Sequence, residues 1–328
     1  MSYKRLSDVV TYSVGGGWGT DTADEEHSSR VRVIRGADFP QVSIGSTADL
    51  PTRFESANLA SSRALELGDI VMESSGGTRD RPTGRVVRIS AALASKGETF
   101  IPASFCKLLR PEKSEIHPTF LYYFLSHWWN SGESWNFQNQ STGISNLQFR
   151  RVLNEVRIPT TAIREQEAIA EVLGALDDKI AANQMVVKHA DQLRSAQWKR
   201  WSVDAPMSPL SSQAEFINGG AYTKGATGAG RPVLRIAELN SGLSGGTVWN
   251  ELDVPENQVA RAGDLLMPWS GSVFSHRWSG QEAIVNQHIF KVIPSDGRSV
   301  AAVAGAIDDA VPIFQAIAAA KATTMGHI

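Results

Sequence analysis

The stretch Gly76-Gly77-Thr78-Arg79-Asp80-Arg81-Pro82-Thr83-Gly84-Arg85-Val86-Val87-Arg88 sets four arginines between positions 79 and 88, bounded by glycine. A guanidinium is a planar fork of donors that can take guanine O6 and N7 together or grip a phosphate, and glycine lets backbone approach a duplex closely. Gly76, Gly77, Thr78, Arg79, Arg81, Arg85 and Arg88 are therefore candidate nucleic-acid contacts, set against the plainer reading of a solvated charged hairpin. In the second half, Trp269-Ser270-Gly271-Ser272-Val273-Phe274-Ser275-His276-Arg277-Trp278 offers Ser270, Ser272, His276 and Arg277 as donors among aromatic rings, with at least one of the two tryptophans expected in a core. Two polar turns hold Asn139, Ser141 and Thr142, and Lys321, Thr323 and Thr324. Their amide and hydroxyl groups suit adenine edges or phosphate, and equally suit ordinary turns.

Residues for bond-making chemistry do not assemble in the same way. Gly15-Gly16-Gly17-Trp18-Gly19 lacks the third glycine at dinucleotide spacing, and Lys224 is followed by Gly225 where a phosphate loop needs Ser or Thr. Gly242-Leu243-Ser244-Gly245-Gly246 matches a nucleophile elbow in form, but no helix pattern follows it. The seven histidines contain no H-E-x-x-H pair, and the single Cys106 can build neither an internal disulfide nor a Cys-rich zinc site, which fits a reducing compartment. Asp69 and Glu73 lack a following Glu-x-Lys element, so a metal-dependent nuclease has no third leg; Asp69 and Asp264 are expected to cap the turns before their strands. The 32 basic residues nearly balance the 34 acidic ones. Any nucleic-acid contact must then come from local patches rather than from the whole-chain charge.

The elements that must position these groups fall into three parts. A length of 328 residues with 42% hydrophobic content predicts two domains with real cores. From Ile163 to Trp201 there is no proline and a single glycine, with apolar residues at helical spacing, which predicts a helix ~58 Å long at ~1.5 Å per residue. Ile169, Leu173, Leu176, Ile180, Asn183 and Val187 step along it as a heptad-like seam with one polar member, so they form a candidate partner-helix interface. Thr161 is the expected N-cap, and Asp204-Ala205-Pro206 marks the end.

The flanks look duplicated. Leu67-Gly68-Asp69-Ile70-Val71-Met72 with Ser75-Gly76 matches Ala262-Gly263-Asp264-Leu265-Leu266-Met267 with Ser270-Gly271 at a constant offset. Val33-Ile34-Arg35 with Asp38 matches Val233-Leu234-Arg235 with Glu238 at a nearly equal one, and Ser141–Ile144 resembles Thr323–Gly326. Strand-like runs broken by glycine turns (Val31–Ile34, Ile70–Met72, Val86–Ile89, Leu265–Met267, Ile289–Ile293) and one helical stretch per half, Thr119–Trp129 or Ala301–Ala322, predict mixed α/β (α+β) domains. The expected division is 1–160, a helix over 161–204, and 205–328, with no second long helix after the second copy. The N-terminus has no apolar leader, and runs such as Ala301–Ile307 are far below the ~18 residues that span a bilayer, so no membrane association is expected.

Ile158-Pro159, Glu165-Gln166, Ile169-Ala170 and Leu176-Asp177 at the head of the helix resemble the DNA-specificity subunit of type I restriction-modification systems. So do the Gly-Asp strands, Asn286-Gln287-His288-Ile289-Phe290-Lys291-Val292 and Ala322–Ile328. Thr160-Thr161 stands where that family often has further prolines, and the second helix is missing. The resemblance implies two target-recognition domains, each reading half of a bipartite double-stranded DNA site, with the helix as spacer and docking surface. It implies a cytoplasmic, non-catalytic chain that binds no cofactor. S-adenosylmethionine and ATP with Mg are expected on the modification and restriction/translocase partners, with self-association through the helix as an alternative way to cover the seam. The rival readings are a stand-alone nuclease or methyltransferase, disfavoured because no N-P-P-[YF] or D-P-P-[YF] signature occurs, and a helical oligomeric scaffold.

Overall fold

The structure is a computed structural model that describes residues 2–78, 81–141 and 144–320. The chain divides into two compact units, Met1–Val186 and Val187–Ile328, and the division falls inside one continuous helix, Ile163–Ser202.

Each unit is built on an antiparallel four-stranded sheet and a second sheet that contains a parallel pair. In the first unit the order is Val10–Gly15, Cys106–Pro111, Ile70–Glu73, Val86–Arg88, beside Thr52–Glu55, Ser29–Ile34, Phe100–Pro102. In the second it is Ala214–Asn218, Ile289–Pro294, Leu265–Pro268, His276–Arg277, beside Trp249–Asn250, Arg231–Leu234, Ala283–Val285, Val259–Ala260. The apolar runs of the central strands do not alternate because both faces are covered. Ile70 and Met72 enter one core and Val71 the other, and likewise Leu265 and Met267 part from Leu266.

The suspected repeat is matched bond for bond. Arg35 and Arg235 each fold back on the carboxylate three residues on, at 2.7 Å to Asp38 and 2.6 Å to Glu238, while that carboxylate accepts the arginine's own backbone N–H. Asp69 and Asp264 accept the N–H of Glu66 and Arg261, the turn caps expected of them. Gly17 bridges Ala103 and Gly220 bridges Asn286 in the same parallel sense. A Cβ on Gly16 or on Gly219 would fall 2.1 or 2.2 Å from a facing carbonyl oxygen, so the close approach of backbones explains both glycines. The first unit also contains a sheet of Gln138–Ser141, Ile144–Leu147 and Ser75–Gly77.

The central helix starts differently from the expectation. Among the described residues Thr161 Oγ1 has no hydrogen-bond partner, and the Glu165 and Gln166 N–H groups donate to the Ala162 carbonyl. The reason lies at Gln166, which is buried: its Nε2 donates to the Thr161 carbonyl at 3.0 Å and its Oε1 accepts the His117 N–H at 2.9 Å, at the head of the helix Pro118–Asn130. One turn pair further on, Tyr123 Oη donates to Asp177 at 2.7 Å. Two residues of the helix signature, Gln166 and Asp177, therefore dock it on its own unit. In the second unit Arg194 pairs with Asp308 at 2.8 Å and Trp198 Nε1 donates to Asp309 at 2.6 Å, both on the helix Val300–Ala320. The window Val300–Ile317 is long and apolar enough to cross a membrane by composition alone, which corrects the expectation that no such stretch exists. Its Val303, Ala304 and Ile307 pack into a core of the second unit instead.

Replacing Gln166 by Ala is expected to leave the His117 N–H and Thr161 C=O without partners and to cost ~1–3 kcal/mol. Thermal unfolding of wild type and Q166A, read with a probe in the first unit such as its tryptophan fluorescence, checks this.

Candidate nucleic-acid interface

The arginine-rich stretch does not form one open patch. Glu73 ends the central strand with its side chain 4% exposed, and Arg85 meets it through Nε at 2.9 Å and Nη2 at 2.7 Å while also donating to the Gly36 carbonyl. Arg85 is thus the counter-ion of a buried carboxylate, and removing it would leave that charge unpaired. Arg88 lies in a strand with its guanidinium over the Tyr122 ring, away from the loop. Arg81 is the freer member: it donates to the Gly76 carbonyl at 2.7 Å and stands 3.7 Å from Glu73. Arg79 lies outside the described residues, as do Thr142, Lys321, Thr323 and Thr324. The glycines serve the turn: Gly76 has φ +124°, and a Cβ on Gly77 would sit 2.5 Å from Thr83 Oγ1. Thr78 closes a tight turn onto the Arg81 carbonyl, and buried Thr83 ties the loop to the neighbouring hairpin through Ser145 O and Gln138 Oε1. Trp18, Arg35, Gly76, Arg81, Phe105 and buried Cys106 border a cleft of about 580 Å³ over this ion pair.

A second recess, about 570 Å³, opens on the other side of Phe105 and was missed by sequence reading. Ser104, Phe105, Lys107, Asn146, Gln148, Arg150 and Arg151 line it, and among the described residues no carboxylate does. Burial alternates along Ser145, Asn146 and Leu147, so the hairpin turns its polar face outward. Asn139, a candidate from sequence, stands directly opposite Asn146 across the ladder and accepts the Gln148 amide. Ser141 belongs to the same strand, Gln138–Ser141. Arg151 is shared between Glu155 and Gln148, Lys107 lies over the Phe149 ring, and Arg150 makes no ion pair among the described residues. The adjacent Arg150-Arg151 after a strand of alternating polarity was the available signal.

In the second unit the candidates scatter. Ser270 is buried, Ser272 and Arg277 are exposed, and His276 sits between the Phe274 and Trp278 rings, where burial holds its imidazole below the usual range and hence neutral at pH 7. Trp278 is the core tryptophan; Trp269 bonds Asn218 through Nε1 at 3.0 Å and packs on His288 and Phe290.

The helix seam is uneven. Ile169 packs on the first unit's core and Leu173 is half-buried, whereas Leu176, Ile180 and Val187 are 56%, 53% and 62% exposed, with Asn183 exposed between them.

A model of the type I restriction modification DNA specificity domain matches residues 31–187, from the first parallel strand through most of the central helix. Residues 31–187 are thus similar to a type I restriction modification DNA specificity domain. Among solved structures, the S subunit of a type I restriction-modification system from M. genitalium is 14% identical, with TM-score 0.56 over 100% of this chain and 83% of that one, a likeness of fold that takes in both units. An HsdS subunit from Thermoanaerobacter tengcongensis is 17% identical over 95% of this chain and 80% of that one, with TM-score 0.36. A chain from a structure describing complex assembly and conformational transition of the type I R-M system is 14% identical over 94% and 80%, with TM-score 0.39. No curated relative matches.

Cys106 is the single thiol of the chain and is buried, with desolvation pushing its pKa up to about 12. It is expected to resist alkylation at pH 8 in the folded chain and to react at once in denaturant, because the thiolate is the nucleophile. Mass spectrometry after a short iodoacetamide pulse decides this.

Proposed function

We propose that this chain is the reader of a two-part duplex DNA target within a type I restriction-modification complex, each unit contacting one half-site. The observation that carries the two-part reading is the duplication: the same sheet pairings, the same arginine-carboxylate brackets and the same glycine contacts occur once in each unit. Methyl transfer and cleavage are assigned to modification and restriction/translocase partners, which would hold S-adenosylmethionine and ATP with Mg, and the complex to the cytoplasm. In support, the candidate contacts are donors suited to phosphate and base edges. In the first unit the proposed contacts are Gly76, Gly77, Thr78, Arg79, Arg81, Asn139, Ser141 and Thr142. In the second they are Ser272, His276, Arg277, Lys321, Thr323 and Thr324.

The exposed strip Leu176, Ile180 and Val187 is the proposed interface with a modification subunit or with a second copy of the helix, since a contiguous apolar strip in water marks a contact surface. Light scattering of the chain alone and with the cognate modification subunit should show assembly that L176E/I180K reduces at least tenfold. A monodisperse, unassembled wild type in both mixtures would refute the interface.

The helix is also proposed to set the gap between half-sites. Four residues inserted between Ala182 and Gln184 add ~6 Å of helix, about two base pairs of duplex. Methylation mapping with the same partners should show a longer gap and unchanged half-sites.

A further inference from the structure

The recess between the Ser104–Phe105 turn and the strand Ile144–Leu147 has features that the arginine loop lacks. Its rim is cationic without a compensating carboxylate among the described residues: Lys107 and Arg150 make no ion pair, and Arg151 reaches Glu155 outside the recess. Phe105 projects from it 66% exposed, yet its turn is rigidly held, with the Ser74 and Ser75 N–H groups both donating to the Phe105 carbonyl at 2.8 and 3.2 Å. A large aromatic pinned in water by its own backbone presents apolar surface to a partner.

Between these lie two side-chain amides in different states. Gln148 is used on both sides, donating to Asn139 and accepting from Arg151 at 2.7 Å. Asn146 is exposed on the outward face of its strand, with Ser75 and Asn139 opposite it in the ladder, and its amide has no hydrogen bond among the described residues. A rigid strand therefore holds one unengaged donor-acceptor pair at the centre of a cationic, acid-free surface. An asparagine amide matches adenine, donating to N7 and accepting from the N6 amino group, and flanking cations suit the phosphates on either side.

We infer that this recess reads one base pair of the first half-site, with Asn146 bonded to an adenine edge in the major groove, Lys107 and Arg150 on the adjoining phosphates, and Phe105 as the apolar wall. The inference rests on the reading of the chain as a DNA-sequence reader, and goes beyond it in naming the base and the residue that selects it.

The test uses the full chain assembled with its modification subunit and a duplex library with two randomised blocks, sequenced after selection. Wild type should enrich a motif with an invariant adenine in one half. Asn146→Ala should lose the preference for that adenine by ~10- to 100-fold while every other position stays fixed, the range of a lost bidentate base contact. Asn146→Asp presents only acceptors and should trade adenine for cytosine, whose N4 is a donor. Arg150→Ala should weaken all sequences alike and lower the salt slope by about one. Retention of the whole wild-type motif by both Asn146 variants would overturn the assignment, as would a uniform loss at every position. A wild type that enriches no motif would instead sink the DNA-reading function itself. Because the Asn146 side chain is exposed and makes no hydrogen bond among the described residues, circular dichroism of the variants should superpose on wild type; loss of fold in N146A would mean the side chain is structural and would equally reject the proposal.

Discussion

Glu73 stands at the end of a strand covered on both faces, and a carboxylate placed there has to be paired or the fold carries an uncompensated charge. Arg85 meets it bidentately, and that pair decides much else in the first unit. It anchors the far end of the glycine-rich loop to the sheet, reaches across to the Gly36 carbonyl beside the Arg35–Asp38 bracket, and leaves Arg81 at the lip of the cleft. The loop is consequently a stitched element whose outer groups are few. A guanidinium that neutralises a buried acid is not available to a phosphate.

The same principle recurs with a different partner wherever the two units put charge inside. Asp69 holds both the Glu66 N–H and the Arg110 guanidinium, Glu238 holds Arg235, and Lys291 lies 2.9 Å from Asp264 while donating to the Val259 carbonyl. Each of these ties a turn to a strand, so the brackets keep the loops on one scaffold in both units. The described surfaces differ: the first unit carries a cationic recess beside its hairpin, and the second shows aromatic rings around His276 and Trp269.

The central helix meets its own units through polar contacts and leaves an apolar strip exposed. Gln166 and Asp177 fix its first part, and Arg194 and Trp198 fix its last on the Val300–Ala320 helix. Close packing there is tight enough that a Cβ on Gly305 would fall 2.3 Å from the Trp198 ring. Between the docked ends the strip Leu176, Ile180 and Val187 remains in solvent.

Sequence alone determined the local and the repetitive: the long helix from its uninterrupted 3.6-residue period, the strands from runs such as Ile70–Met72, the duplication from Gly-Asp and Arg-x-x-acid spacings, and a family resemblance from the helix signature. These are legible because they depend on neighbours a few residues apart. Tertiary structure decided which charged groups are available. Arg85 and Arg81 look alike in the chain, yet Arg85 hydrogen-bonds the buried Glu73 bidentately while Arg81 stands 3.7 Å away, since a strand pairing brings together residues twelve apart with a carboxylate facing inward. Asn146 and Gln148 are also alike in sequence, and only the register opposite Asn139 leaves one engaged and the other free. Gln166 read as a motif letter, and its role as a docking amide appeared only once the His117 N–H was placed against it, because long-range pairing of polar groups carries no periodic trace in the sequence.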